Sequence, residues 1–426
     1  MKKPWYPSKG MSYNNDSQNT FTSDLKASFK LTSSLLFGDL RDLTEVNHQK
    51  AIYLNVHFQF YLMIQVTRPF LPPIAEYEAL IGQIWENNWL TNNGPLLVDL
   101  EQKLKEFLGV EYLIMLTNGT ITLQALLKTL PRKGKILTTP FSYIATCSAI
   151  LWEEFIPVFI DIDPQTFNAD PNKAEAHIDK DTVGVLITHC FGVPCDVIGW
   201  DAISRAHDIP IIYDAAHAFG VKVGNQSVLN YGYASSLSFH ATKLFHTIEG
   251  GAIVTSSPQL EKEIQMRRNF GHDGPDRFSE VGINGKNSEF HAAMGLVNLR
   301  HFEEILKSRR KQYTYYLENL TERKLNLAFQ VIPEEVTYNY SYFPVVFPTE
   351  EILLHVFESL QRENIFPRRY FYPALNSLSF TKGYAGPTPI AESISRRILC
   401  LPIFHTMTQS QQDQVIATLI NALHHA

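Results

Sequence analysis

Between Tyr112 and Thr255 the chain switches repeatedly between two periods, and that switching limits the possible fold more than any other feature. Short apolar runs bounded by turn residues occur at Tyr112–Leu116, Lys135–Thr139, Ile156–Ile162, Val183–Thr188, Ile209–Tyr213 and Ala252–Thr255. Helical stretches such as Thr120–Leu130 and Trp200–His207 lie between several of them. Continuous apolar runs fit strands buried on both faces, and their alternation with helices implies βαβ units. The predicted class is therefore α/β, with a largely parallel sheet covered by helices. Sheets of this kind bind ligands at the carboxyl ends of their strands, where the next helix begins.

The flanks follow other patterns. Upstream, Ile74, Tyr77, Leu80, Ile81, Ile84 and Trp85 recur at helical spacing, and Leu97, Leu100, Leu104, Phe107 and Leu108 form a second stripe closed by Gly109. Downstream, Ser288–Leu320 contains no proline and reads as one long connecting helix. Beyond it, Tyr340–Phe347 and Leu399–Pro402 read as strands, and Glu351–Glu363 and Gln409–His424 as helices. That gives a large domain over 63–310 and a smaller α+β domain over 311–426. Residues 1–62 form an N-terminal extension. It is polar and aperiodic to about residue 50, after which every even position from Ile52 to Val66 is apolar. Two readings stay open there: a half-buried strand, or a working protein that starts at Met63.

Composition removes several classes of function. With 426 residues the chain has room for about two or three domains. Its 45% hydrophobic and 19% charged residues are those of a globular protein. A formal charge of −6 offers no basic field for nucleic acid or an anionic membrane, so an anionic ligand must be held by local groups. Four scattered cysteines do not make a disulfide framework, and His189, Cys190 and Cys195 lack the second ligand pair that a metal site needs. No apolar run of about 20 residues is present, and the polar start lacks a signal-peptide core. The expected location is the cytoplasm.

Three polar segments fall at strand ends rather than within apolar faces. Thr117-Asn118-Gly119-Thr120 joins a strand to a helix, where backbone N–H groups and the Thr120 hydroxyl can cradle an anion. An ordinary helix cap is the plainer explanation of that segment taken alone. Asp214, in Tyr213-Asp214-Ala215-Ala216-His217, ends an apolar strand, where a carboxylate loses hydration and requires a cation or donors. Lys243, in Ser238-Phe239-His240-Ala241-Thr242-Lys243, sits among small residues ahead of Gly250-Gly251, in a segment too irregular for a surface helix. A lysine desolvated there has a depressed pKa and becomes nucleophilic. An anion cradle, a carboxylate and an amine are the set that holds a phosphorylated pyridine aldehyde.

These segments, with Trp89–Pro95, Phe141–Thr146 and Gly282–Lys286, stand in the order found in the DegT/DnrJ/StrS family of sugar aminotransferases, which the chain resembles from about Gln65 to its C-terminus. The resemblance implies the fold-type-I scaffold of pyridoxal 5'-phosphate enzymes, with a mostly parallel seven-stranded sheet and a smaller C-terminal domain. It makes Lys243 the lysine that carries the cofactor, Asp214 the partner of its ring nitrogen, and His217 a neighbour of its phenolic oxygen. Gly119, Thr120 and Ser238 match phosphate-binding positions, and Tyr143 the stacked aromatic ring. Asn284 matches an asparagine that reaches the phosphate of a neighbouring subunit, which implies a homodimer with shared sites. Thr91, Arg369 and Tyr370, with Tyr372 nearby, are candidate contacts to the substrate. Lys286 stands where the family commonly has arginine.

By the same resemblance the donor is L-glutamate and the acceptor a nucleotide-linked keto-sugar. Gly271–Pro275 and Ser288–His291 are similar to segments of enzymes that aminate dTDP-4-keto-6-deoxyglucose for surface polysaccharide such as lipopolysaccharide O-antigen. Amination at the 3-position is the nearest alternative. A sugar dehydratase carries histidine in place of Lys243, so the lysine favours amino transfer. A cofactor-binding regulator without turnover is the alternative of another class.

Overall fold

The computed structural model describes residues 63–384 and 386–425. Seven strands form its central sheet: β1 (Tyr112–Leu116), β2 (Lys135–Thr138), β3 (Ile156–Phe159), β4 (Thr182–Thr188), β5 (Ile211–Asp214), β6 (Ala234–Ser238) and β7 (Gly251–Thr255). Their spatial order is β1-β7-β6-β5-β4-β2-β3. The pairs from β6 through β5, β4 and β2 to β3 are parallel, while β7 runs antiparallel to both β6 and β1. Leu116, Thr188, Asp214 and Ser238 therefore end on the same edge of the sheet. Its strands are buried almost throughout, as expected where helices cover both faces.

The elements largely follow the sequence pattern. Helices α1 (Ile74–Asn87) and α2 (Pro95–Leu108) carry the two predicted stripes, and α2 stops at Gly109 with φ of 64°, the left-handed geometry glycine adopts freely. Between strands lie α3 (Gly119–Leu127), α4 (Ile144–Trp152) and α5 (Val197–His207), with α6 (Pro258–Arg267) after β7. The alternation at 52–66 falls mostly outside the described residues. Its end, Ile64–Gln65, pairs in parallel with Ile365–Phe366.

Two expectations need correction. The predicted connector is not one helix: α7 (Glu289–Arg300) and α8 (Phe302–Thr321) are separate, and His301 between them has φ −97° and ψ 1°. The His301 ring is drawn to Glu76, 3.0 Å away, and the turn lets Phe302 pack edge-on against Phe107 at 5.2 Å and Phe219 at 5.0 Å. Strand β6 is the other correction, because the apolar runs of the sequence did not include it. Its Ser235 and Ser236 are buried through hydroxyl bonding, to the Leu229 carbonyl and the Thr122 hydroxyl, where a periodicity reading expects apolar side chains.

Helix α8 serves two cores. Phe302 and Ile305 join the core around the central sheet, while Tyr313, Tyr316 and Leu320 join a second. That second core lies under an antiparallel sheet of β8 (Ala328–Phe329), β9 (Phe343–Val346) and β10 (Ile398–Leu401). Helices α9 (Glu350–Arg362) and α11 (Gln409–His424) supply Leu353, Val356, Val415 and Leu419 to it, and α10 (Pro389–Arg397) precedes β10. Fully burying each such side chain contributes about 1.5–3 kcal/mol.

Candidate active site

The site grows from the edge where β1, β4, β5 and β6 end. Asp214 closes β5 and is 5% exposed. Its Oδ2 accepts a 2.7 Å hydrogen bond from the Thr146 hydroxyl and its Oδ1 a 3.1 Å bond from the Ala216 N–H. Burial raises this carboxyl above its usual range, while those two donors and the charge of Lys243 hold the rise back. Burying a carboxylate costs several kcal/mol, and donors to a charged acceptor return about 1.5–3 kcal/mol each, so Asp214 depends on them to stay ionised.

Lys243 lies in the loop between β6 and β7, which turns the chain back to run antiparallel. The Phe239 N–H donates to the Gly250 carbonyl at 2.7 Å and the Lys243 N–H to the His240 carbonyl at 2.8 Å. Phe245 stacks on Phe219 at 4.4 Å and meets Phe239 edge-on at 5.1 Å, pinning the loop to the core. β7 then starts at Gly251, where a Cβ would meet the backbone of Asn118 at 2.7 Å and of Leu237 at 2.8 Å; only glycine allows that approach. Burial pushes the Lys243 ammonium down from 10.5 to about 8, against the opposing pull of Asp214. An amine with that pKa is about one-tenth free base at pH 7, a few hundredfold more than an ordinary lysine.

His217, Ser238, Thr242, Lys243, Ser341 and Tyr342 line one cleft. The His217 Nδ1 accepts the Phe191 N–H at 3.2 Å, and burial with the charge of Lys243 pushes its pKa well below the ordinary value. His217 is also one of three parallel rings, with Phe371 at 5.8 Å and Phe191 at 6.2 Å. Gly119 starts α3 beside Ser238, so that a Cβ on Gly119 would lie 2.8 Å from the Ser238 Cβ. Asn118 caps Ile121 of that helix through its side chain, and the first N–H groups face the same edge as Ser238. This narrow cradle of helix start and hydroxyl fits a phosphate, and a buried acid and a half-buried amine beside it fit the ring and aldehyde of pyridoxal phosphate.

The structure gathers Asp214, His217, Lys243, Ser238 and Gly119 as the sequence predicted, and spreads the remaining candidates. Thr120 follows Gly119 with its side chain exposed, and Tyr143 is the N-cap of α4 at 57% exposure, leaving a free aromatic face. The Thr91 hydroxyl donates to the Asn287 carbonyl at 3.3 Å, and exposed Asn284 bridges to Asn269. Arg369 is committed to Glu350 at 2.7 Å and to the Arg396 carbonyl at 2.8 Å, with Tyr372 under its guanidinium at 3.5 Å. Tyr370 meets Tyr342 edge-on at 5.9 Å and so borders the cleft indirectly. The Lys286 ammonium lies over the Phe270 ring at 4.5 Å. Sequence reasoning missed Ser341, Tyr342 and Phe371, because they lie far along the chain and carry no strand-end signature.

The model of the DegT/DnrJ/EryC1/StrS aminotransferase family matches residues 74–420. A dTDP-4-amino-4,6-dideoxy-D-glucose transaminase of Shigella dysenteriae is 39% identical over 84% of this chain and 98% of its own length. A protein of the same description from Escherichia coli is 37% identical over 84% of this chain and 99% of its own. The crystal structure of DesI with its TDP-sugar product superimposes with a TM-score of 0.80 at 30% identity, over 85% of this chain and 94% of that one.

Proposed function

The chain belongs to the DegT/DnrJ/EryC1/StrS aminotransferase family and is a pyridoxal phosphate-dependent sugar aminotransferase, and from that premise we propose that it moves an amino group from L-glutamate to C4 of a dTDP-linked 4-keto-6-deoxy sugar. The observation that carries this reading is the half-buried Lys243, its pKa drawn to about 8, in one cleft with His217 and Ser238 and under the field of Asp214. When bound, the cofactor supplies a carbonyl that takes up the amino group and a ring that withdraws electrons from the donor α-carbon.

We assign the roles as follows. The Gly119–Thr120 helix start and Ser238 hold the phosphate, Tyr143 offers a stacking face, and Asp214 pairs with the ring nitrogen. His217 donates from Nε2 towards the phenolic oxygen. The Lys243 Nζ removes the proton from the donor α-carbon and later returns one, serving as base and then acid. Phe219, Leu244 and Phe245 flank that amine and limit the water that reaches it. Thr91, Arg369 and Tyr370 are assigned to the sugar nucleotide, for which Arg369 must exchange its present partners.

We further propose that the working form is a cytoplasmic homodimer in which Asn284 of each chain completes the other's phosphate site. Exposed large apolar side chains support this: Trp85 is 67% exposed, Phe278 63% and Val281 80%. The division into a cofactor domain of 63–310 and a smaller domain of 311–426, and a product destined for surface polysaccharide, belong to the same proposal. Among the described residues no helix is long and apolar enough to cross a membrane.

The test is incubation of the purified chain with pyridoxal phosphate, L-glutamate and dTDP-4-keto-6-deoxyglucose, with the product examined by NMR. An amine at C4, formed together with 2-oxoglutarate, is expected. An amine at C3, loss of water without amination, or no product beside an unchanged cofactor spectrum each overturns the reading.

A further inference from the structure

Behind Asp214 lies a row of hydroxyl groups to which the aminotransferase reading assigns no part. The Thr146 hydroxyl is 2.7 Å from Asp214 Oδ2, the Ser142 hydroxyl 2.7 Å from that of Thr146, and the Thr188 hydroxyl 2.7 Å from that of Ser142. Thr146, Ser142 and Thr188 are 0%, 2% and 2% exposed. Three separate elements supply them: the first turn of α4, the loop before it, and the end of β4. The row also returns to its origin. Thr188 is the ladder neighbour of Asp214 between β4 and β5, and the next residue, His189, donates its N–H to the Asp214 carbonyl at 3.1 Å.

Counting protons fixes the direction of the row. Each hydroxyl has one proton to give, and an ionised carboxylate can only accept. Thr146 must therefore give its proton to Asp214, which leaves its oxygen to accept from Ser142. Ser142 is then spent in turn and accepts from Thr188. Every bond points at the carboxylate, and successive bonds in a dry interior polarise one another in the same sense. A protonated Asp214 would offer this row only a neutral, weaker acceptor.

We propose that Thr188, Ser142 and Thr146 form a one-way hydroxyl relay that keeps Asp214 a carboxylate, so that the proton shared with the cofactor's ring nitrogen resides on the ring. The inference rests on the reading of Asp214 as the partner of that nitrogen. A donor aimed at the carboxylate stabilises its charged form and makes it the weaker base of the pair. The three side chains are positioning residues that act through Asp214. Thr146 has the largest effect, because its bond is made to the charge itself.

The experiment loads the full chain with 15N-labelled pyridoxal phosphate and reads the ring-nitrogen shift by NMR at fixed pH, in the native chain and in four variants. The native shift is expected to be that of a protonated ring, and D214N to move it to the neutral pyridine value. T146V, which keeps the shape and removes the hydroxyl, is expected to shift the proton's distribution towards Asp214 by roughly tenfold. T146S restores the native shift, and S142A moves it in the T146V direction by less. A native ring already neutral, or unmoved by D214N, overturns the pairing and the relay with it. A native ring that is protonated and moved by D214N but unmoved by T146V and S142A overturns the relay alone. Should T146V fail to fold, S142A against T146S carries the same decision.

Discussion

The Phe191 N–H donates to the Nδ1 of His217 across 3.2 Å, so in the neutral ring the proton sits on Nε2. Burial and Lys243 keep that ring neutral. The expected outcome is that His217→Ala lowers kcat by roughly 10²-fold, while His217→Gln, which retains a donor, loses less. Steady-state kinetics on both variants, with cofactor affinity measured separately, checks this.

Acid exposes the same burial as instability. His189 is pushed down to about 3, and His217 also lies well below its usual value, because neither is hydrated. The unfolded chain takes up protons near pH 6.5 that the folded chain refuses, so stability falls as pH drops below that point. Each group is expected to contribute about 1.4 kcal/mol per pH unit until the folded value is reached. Denaturant titrations between pH 7 and 4 read this slope, and His189→Asn is expected to reduce it.

Lys243 shifts in the same direction as the two histidines, over a higher pH window. Its folded pKa of about 8 lies below the unfolded value of 10.5, so a stability penalty is fully present below pH 8 and fades as pH rises from 8 to 10.5. Cofactor-free Lys243→Met is therefore expected to melt higher than the native apo chain at pH 7, with the gap closing at alkaline pH. The same variant is expected to lose all amino transfer and the absorbance of lysine-bound cofactor. Paired melting curves and spectra test both statements.

Glu289 is 2% exposed, and its two carboxylate oxygens accept the N–H groups of Leu96 at 2.8 Å and Leu97 at 2.9 Å. A side chain from the start of α7 thus caps α2. Gly94 leaves room for it, since a Cβ there would lie 2.4 Å from the Glu289 carboxyl carbon. Glu289→Ala is expected to cost about 2 kcal/mol in urea unfolding, because two helix donors lose a charged acceptor.

Gly119→Ala places a methyl group against Ser238, in the cradle proposed to hold the phosphate. Affinity for pyridoxal phosphate is expected to fall about tenfold or more while the melting temperature of the apo chain changes by a few degrees, as the clash is local. Fluorescence titration of the apo variant measures the first and calorimetry the second.

Much of this was legible beforehand, and for identifiable reasons. Asp214 and Lys243 stood out because charged or nucleophilic groups at strand ends break an otherwise apolar rhythm. Helix α11 has the bounds that the sequence pattern gives, Gln409–His424, and the structure adds the Thr408 cap that opens it. β6 was hidden because Ser235 and Ser236 are paid for by hydroxyl bonds that periodicity does not register. The break at His301 needs no proline or glycine, only a ring attracted to Glu76 on a distant helix. Ser142 and Thr146 were in view as motif letters. Their link to Asp214 arises only once α4 is laid beside β5, as does the place of Tyr342 in the cleft.

The antiparallel strand β7 has a consequence for how the molecule is made. β1, the first strand of the sheet to emerge during synthesis, borders β7, the last to emerge. A growing polypeptide halted anywhere before Gly251 leaves the apolar edge of Leu113–Leu116 without its neighbour and the lysine loop without its second anchor. The lysine loop is therefore held at both ends only once the seventh strand has been inserted, and until then the first strand presents an unpaired apolar edge.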